Sequence, residues 1–179
     1  MIHPNGRLSC SLRVTEWKRI GLGGGCHWCT EGVFTMLDGV HRVEQGWIAS
    51  SSPYDGPSEA VIVHYDPKII TLSVLLDVHL QTHSATGAHS FRGKYRSAVY
   101  YYCEDQRKAA ESILQKLSRK FDDPLVTKVL PFVKFTASLP EHRDYYRTDP
   151  ERPFCRRYIK PKLERLQTVR PELFSAVKQ

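Results

Sequence analysis

Between residues 17 and 102 the hydrophobic period alternates between that of a strand and that of a helix, and this rhythm narrows the choice of folds more than any other feature of the chain. Residues 17–22 read as a short strand that runs into Gly23-Gly24-Gly25. Beyond the glycines, Val33, Phe34 and Leu37 recur at helical spacing, so a helix starts near Cys26 and ends before Gly39. Residues 40–48 read as a strand and 49–57 as a loop rich in Ser, Pro and Gly. Residues 60–65 form a β-branched strand stopped by Asp66-Pro67. Thr71 caps a second helix whose apolar face is Val74, Leu75, Val78 and His79. After a Gly- and His-containing loop over 84–93, residues 95–102 are a further strand. The order β-α-β-β-α-β is the split βαβ arrangement, so the expected class is α+β, a ferredoxin-like two-layer sandwich.

An amphipathic helix over 104–121, one or two edge strands within 125–135 and a C-terminal extension over 141–179 would decorate that core. The extension carries Cys155, and its helical stretches break at Pro150, Pro153, Pro161 and Pro171. Residues 1–15 are a poorly patterned lead-in. With neither a repeat nor a linker, 179 residues read as a single catalytic domain. Composition that is 41% hydrophobic and 25% charged excludes collagen, coiled coil and wholesale disorder. No apolar run approaches the ~18–20 residues needed to cross a membrane.

The net charge of +7 invites a polyanion partner, but the basic residues are spread along the chain with only a mild concentration over 152–170. A solvated surface is the reading carried forward, with no nucleic-acid partner and no membrane. The N-terminal residues MIHPNGRLSCSLRV lack an apolar h-region, so a cytoplasmic, reducing setting is expected. In such a compartment a C-x-x-C among five cysteines is more often redox-active or metal-bound than structural.

That C-x-x-C lies in Gly23-Gly24-Gly25-Cys26-His27-Trp28-Cys29-Thr30-Glu31. A glycine turn lets the backbone approach a ligand closely. A cysteine in the first turn of a helix has its thiolate stabilised by free N–H groups and the helix dipole. Cys29 follows on the same helical face, where a disulfide with Cys26 is sterically reasonable. The bland alternative is two small apolar residues in a core. Zinc would need four ligands, and neither Cys155 nor a histidine supplies a second pair at suitable spacing.

Glu59, at the mouth of an apolar strand, is a general-acid candidate if burial desolvates it, or else a solvated strand end. Tyr95 either donates into a site or packs with a wet tip. Trp28 either walls an apolar pocket or packs on the sheet. Strand alternation splits Tyr100-Tyr101-Tyr102 between faces, which favours sheet packing over a stacking platform.

Together these segments resemble class A peptide methionine sulfoxide reductases. The family's G-C-F-W-G-x-E is matched by residues Gly25 to Glu31, its H-A-E-A-V by Pro57-Ser58-Glu59-Ala60-Val61, and its Q-Y-R-S by Lys94-Tyr95-Arg96-Ser97. The C-terminal H-Q-x-Y, G-Y-C and P-K-L elements are matched by His142-Arg143-Asp144-Tyr145, Phe154-Cys155 and Pro161-Lys162-Leu163. The match spans about residue 20 to residue 166. The resemblance implies a ferredoxin-like core and reduction of methionine-S-sulfoxide, free or in oxidised proteins, with neither metal nor organic cofactor. It makes Cys26 the nucleophile and Glu59 the proton donor to the sulfoxide oxygen. Tyr95 would bond that oxygen, and Trp28 would hold the substrate methyl group. A Cys26 sulfenic acid would then condense with a second thiol and be recycled by thioredoxin or dithiothreitol. Helix-terminus stabilisation of Cys26 and burial of Glu59 would move the two groups in opposite, useful directions.

This chain departs from the pattern in several places. His27 stands for the phenylalanine that forms half of the apolar methyl pocket, which makes it a substrate-binding candidate beside Trp28, and Cys29 stands for a glycine. The loop of the family's second tyrosine is short, with Tyr54 its only stand-in. His83-Ser84-Ala85 replaces His-Asp-Pro, and Ser90 an aspartate. Both Cys29 and Cys155 are resolving candidates, the positional match favouring Cys155. Cys10 and Cys103 are read as bystanders. Two rival functions stand beside this one: a thiol–disulfide oxidoreductase using Cys26 and Cys29, and a basic binding module.

Overall fold

The computed structural model describes residues 17–175; the whole lead-in, with Cys10, lies outside the described residues. Strands β1 (Lys18–Gly23), β2 (Val40–Ala49), β3 (Ser58–Tyr65) and β4 (Ala98–Tyr101) alternate with helices α1 (His27–Thr35) and α2 (Leu72–Thr82) in the expected β-α-β-β-α-β order. They pair as β4-β1-β3-β2, all antiparallel, which is the ferredoxin-like arrangement.

Strand β5 (Lys128–Pro131) adds in parallel to β4, and β6 (Lys134–Ala137) adds antiparallel to β2, so the two extra strands occupy opposite edges. Only Phe132 and Val133 join those edges, donating to Tyr101 O at 2.9 Å and Ala49 O at 3.2 Å. A flat six-stranded sheet would hold its edges ~24 Å apart, far beyond the reach of two residues, so the sheet must curl. The inner face of the curl packs Ile48, Ala60, Ile62, Ala98, Tyr100 and Leu130. Glycine permits the tight approach there: a Cβ on Gly21 would come within 2.8 Å of Tyr100, and one on Gly46 within 2.1 Å of Thr136 O.

The helices cover the outer face. Ile20, Leu22, Val61 and Val63 from the sheet meet Val33 and Phe34 of α1, Leu75 and Leu76 of α2, and Ala110 and Leu114 of α3 (Glu104–Leu117). Each of the Val, Leu, Ile and Phe side chains, when fully buried, contributes roughly 1.5–3 kcal/mol. The Thr71 hydroxyl accepts from the Val74 N–H at 3.3 Å, the expected cap of α2.

Several boundaries differ from the sequence reading. Strand β3 begins at Ser58, which takes Glu59 into the sheet. Strand β4 begins only at Ala98, which leaves Tyr95 in the preceding loop. Helix α3 stops at Leu117 and tightens into a 3-10 turn over Ser118–Lys120. In the C-terminal segment, α4 (Tyr145–Thr148) precedes a π-helical turn, Cys155–Ile159, which runs directly into α5 (Lys160–Val169). Pro161 therefore does not break a helix. It sits in the first turn of α5, where an N–H is dispensable, directly after the wider π turn.

Candidate active site

Strand β1 delivers the chain through the glycine turn to Cys26, the N-cap of α1 with φ −58° and ψ 126° rather than a residue of its first turn. Its carbonyl accepts from the N–H groups of Cys29 at 3.1 Å and Thr30 at 3.2 Å. A Cβ on neighbouring Gly25 would meet nothing within 4 Å, so the turn is open beside the thiol. The Cys26 thiol is held below its usual range chiefly by a hydrogen bond from the Cys29 side chain. Burial opposes that effect, and the backbone N–H groups of Cys29 and Trp28 reinforce it. The helix terminus contributes as expected, but the largest influence is the second thiol. Cys29, next to the anion it stabilises and buried, is pushed up and stays a proton donor.

Register places the carboxylate. Glu59 pairs across from Trp47 on β2 and sits two residues from Val61, so it shares the helix-covered face of the sheet at the end nearest α1. Its Oε2 accepts from the His27 N–H at 3.1 Å, tying it to the residue that follows Cys26. Its Oε1 lies 3.4 Å from Lys94 Nζ, and its side chain is only 8% exposed. His27 is buried, with Nδ1 3.0 Å from Gly46 O and its ring edge-on to Trp47. Burial lowers its pKa, which keeps the imidazole neutral and Nδ1–H the donor to that carbonyl.

Trp28 stacks on Tyr145 with centroids 4.2 Å apart and planes 2° apart, and meets the ring of Phe154 edge-on at 5.5 Å. Its indole N–H is buried without a partner. Tyr145 is fixed from below. The buried Glu31 carboxylate accepts from the N–H groups of Asp144 at 2.9 Å and Tyr145 at 3.2 Å, and from Gln45 Nε2 at 2.7 Å. Burial raises the Glu31 pKa, and those donors oppose the rise. Asp144 takes the left-handed conformation, φ 50°, to turn the chain there.

The structure thus gathers Cys26, His27, Cys29, Glu59 and Lys94, with Trp28 alongside. Tyr95 flanks the group: the Lys94 ammonium lies 5.0 Å from the centre of its ring. Tyr54 is not brought to the group. It packs on the inner face of the curled sheet, with Arg96 over its ring at 5.3 Å, because the short loop leads it to the side opposite Glu59. Cys155 is fully buried in the π turn against α1, near enough to Cys29 to raise that thiol further. Cys103 lies at the N-cap of α3, away from the group. The partners that sequence reasoning missed are Lys94, Tyr145, Phe154, Gln45 and Glu31. All but Gln45 stand inside motifs already noted, yet only the register and the C-terminal fold reveal what they touch.

Among the described residues, no group of three or more His, Cys, Asp or Glu is placed to hold a metal ion. Among the same residues, no helix is long and apolar enough to cross a membrane.

An α+β sheet that presents a lowered thiol, a thiol bonded to it and a buried carboxylate at one helix terminus defines a class: cysteine-dependent redox proteins. The comparisons narrow it. Residues 18–172 match the family model described as peptide methionine sulfoxide reductase. A Thermus thermophilus protein named peptide methionine sulfoxide reductase MsrA is 35% identical, over 80% of this chain and 90% of its own. Yeast Mxr1 in reduced form superposes with a TM-score of 0.68 at 24% identity, covering 78% of this chain and 89% of that one. A structure of yeast Mxr1 in complex with Trx2 gives a TM-score of 0.58 at 22% identity, over 78% of this chain and 91% of that one. The chain belongs to the peptide methionine sulfoxide reductase family.

Proposed function

We propose that this chain, a peptide-methionine (S)-S-oxide reductase, starts its reaction at Cys26 and acts as one catalytic domain over residues 1–179. The Cys26 thiolate attacks the sulfoxide sulfur while Glu59 protonates the oxygen and Tyr95 bonds it. Thiolate, sulfoxide and one proton become a Cys26 sulfenic acid and methionine. The observation that carries this reading is the bond from the His27 N–H to Glu59 at 3.1 Å, which holds an acid beside the residue after the nucleophile. Sulfoxide oxygen is a poor leaving group until protonated, so acid and thiolate must converge. Trp28, backed by Tyr145 and Phe154, takes the substrate methyl group, and His27 anchors the turn.

Resolution falls first to Cys29, whose protonated thiol already bonds Cys26. Its sulfur displaces the sulfenic hydroxyl, which leaves as water with the thiol proton. Cys155, packed behind α1, is the second thiol, to which the disulfide passes before an external reductant removes it. The order differs from the one suggested by position alone, because Cys155 is fully buried. Thioredoxin is the natural reductant in this reading, with dithiothreitol as its substitute; the structure of Mxr1 in complex with Trx2 supports it. The chemistry needs neither metal nor organic cofactor. Free cysteines at Cys26, Cys29, Cys103 and Cys155 suit a reducing cytoplasm. The role is repair of methionine sulfoxide, in oxidised proteins or as the free amino acid, under oxidative stress.

The test is stereochemical. The protein with dithiothreitol is offered separate S and R epimers of a methionine sulfoxide peptide. Methionine from the S epimer alone is expected. No product from either, with reduction of a disulfide substrate instead, would make the chain a thiol–disulfide oxidoreductase.

A further inference from the structure

Lys94 occupies the glutamine position of the Q-Y-R-S element, and its surroundings give a cation there a use. Its backbone is locked to the strand that carries the acid: the Lys94 carbonyl accepts from the Glu59 N–H at 2.9 Å and from Ser58 Oγ at 2.9 Å. Arg92 ties the same loop to the glycine turn, donating to Gly24 O at 3.5 Å and to Tyr95 O at 3.2 Å. The ammonium therefore has a fixed root, although its side chain is 60% exposed, and it reaches Glu59 Oε1 at 3.4 Å. It also sits beside the Tyr95 ring, 5.0 Å from its centre. Lys94 Nζ thus lies beside both groups that the reaction reading places on the sulfoxide oxygen.

Resting on the sulfoxide-reduction reading above, we propose that Lys94 is a further catalytic residue, which donates a hydrogen bond to the sulfoxide oxygen and balances the carboxylate that Glu59 becomes. An ammonium has three N–H donors, so one serves Glu59 and another the substrate. As Cys26 Sγ bonds the sulfoxide sulfur, the S–O electron pair moves onto oxygen, which takes the Glu59 proton. Lys94 remains an ammonium throughout, facing charge that develops first on oxygen and then on a buried carboxylate. Preorganised donors aimed at developing charge act on the transition state more than on bound substrate. The groups facing Lys94 are Glu59 from β3, Tyr95 from its own loop and His27 from α1. Tyr95 first, and Glu59 when it is a carboxylate, hold the ammonium above its ordinary pKa, so it stays charged through the neutral range.

The experiment is a single-turnover measurement of Cys26 oxidation by an S-sulfoxide peptide in the wild type, Lys94→Met and Lys94→Arg. Lys94→Met should lower the chemical rate about tenfold or more with little change in KM. Lys94→Arg, which keeps the charge, should recover to within about fivefold of wild type. A Lys94→Met rate within about twofold of wild type, a loss confined to KM, or an arginine variant as slow as methionine would overturn the proposal. Absence of methionine from the wild type would instead overturn the reaction reading, before any variant is compared.

Discussion

The two ends of the active site are built differently. At one end, Cys26 and Glu59 are placed by backbone: a strand-to-helix turn fixes the thiol, and β-ladder register fixes the carboxylate. At the other, Trp28 and Cys155 depend on the C-terminal segment, where short helices are held by a stacked tyrosine, two bonds to Glu31 and a π turn. Register tolerates no half-measures, since a one-residue slip would move Glu59 to the opposite face. Side-chain packing yields by degrees. The chemistry is thus expected to fail abruptly and the substrate pocket gradually.

Substitutions can break that contrast. Cys26→Ser, which removes the nucleophile, should abolish sulfoxide reduction, as measured by methionine release. Glu59→Gln keeps the shape but not the proton, and single-turnover rates should fall about 100-fold or more. Next in size come the resolving thiols. Cys29→Ser should let Cys26 sulfenic acid persist after one turnover, detectable by a sulfenic-acid trap. Cys155→Ser should instead form the Cys26–Cys29 disulfide normally and slow only its recycling.

Tyr145→Ala tests the gradual end. An aromatic stack is worth roughly 0.5–1.5 kcal/mol beyond its buried area, so kcat/KM on a peptide substrate should fall about 2- to 10-fold. An effect as large as that of Glu59→Gln would erase the distinction between the two ends.

The smallest effect concerns pH and stability. Burial pushes the His83 pKa down to about 4, with Nε2 bonded to Ser97 Oγ at 2.7 Å. The unfolded chain protonates this histidine near pH ~6.5, so between those values it binds more protons than the folded chain does. Its stabilising contribution is complete above that range and is lost as pH falls through it. Urea midpoints should therefore rise from about pH 4 to about pH 7, and His83→Asn should flatten part of that slope. Comparing the two proteins cancels the opposing contribution of Glu31, whose raised pKa acts the other way.

How legible each end was in the sequence follows the same division. Periodicity was enough for the β-α-β-β-α-β core, because each of its elements buries one face against a common layer. The Thr71 cap and the glycine turn were equally local. The opposite edges taken by β5 and β6 were not, since edge choice depends on a curl set by Gly21, Gly46 and the two-residue link between the strands. Tyr54 misled for a related reason: a loop tyrosine carries no periodic sign of which sheet face it joins. Pro161 misled because a π turn can precede a proline without a break. The pairing of Lys94 with Glu59 joins residues 35 positions apart through a carbonyl bond, which no local pattern encodes.

The most direct test of the account follows the oxidation itself. Reduced protein is given one equivalent of an S-sulfoxide peptide, quenched with an alkylating agent at successive times, digested and mapped by mass spectrometry. A Cys26–Cys29 disulfide is expected first, with Cys155 still alkylated, and any disulfide to Cys155 only later. Methionine released while Cys26 is recovered as an unoxidised, alkylated thiol would contradict it.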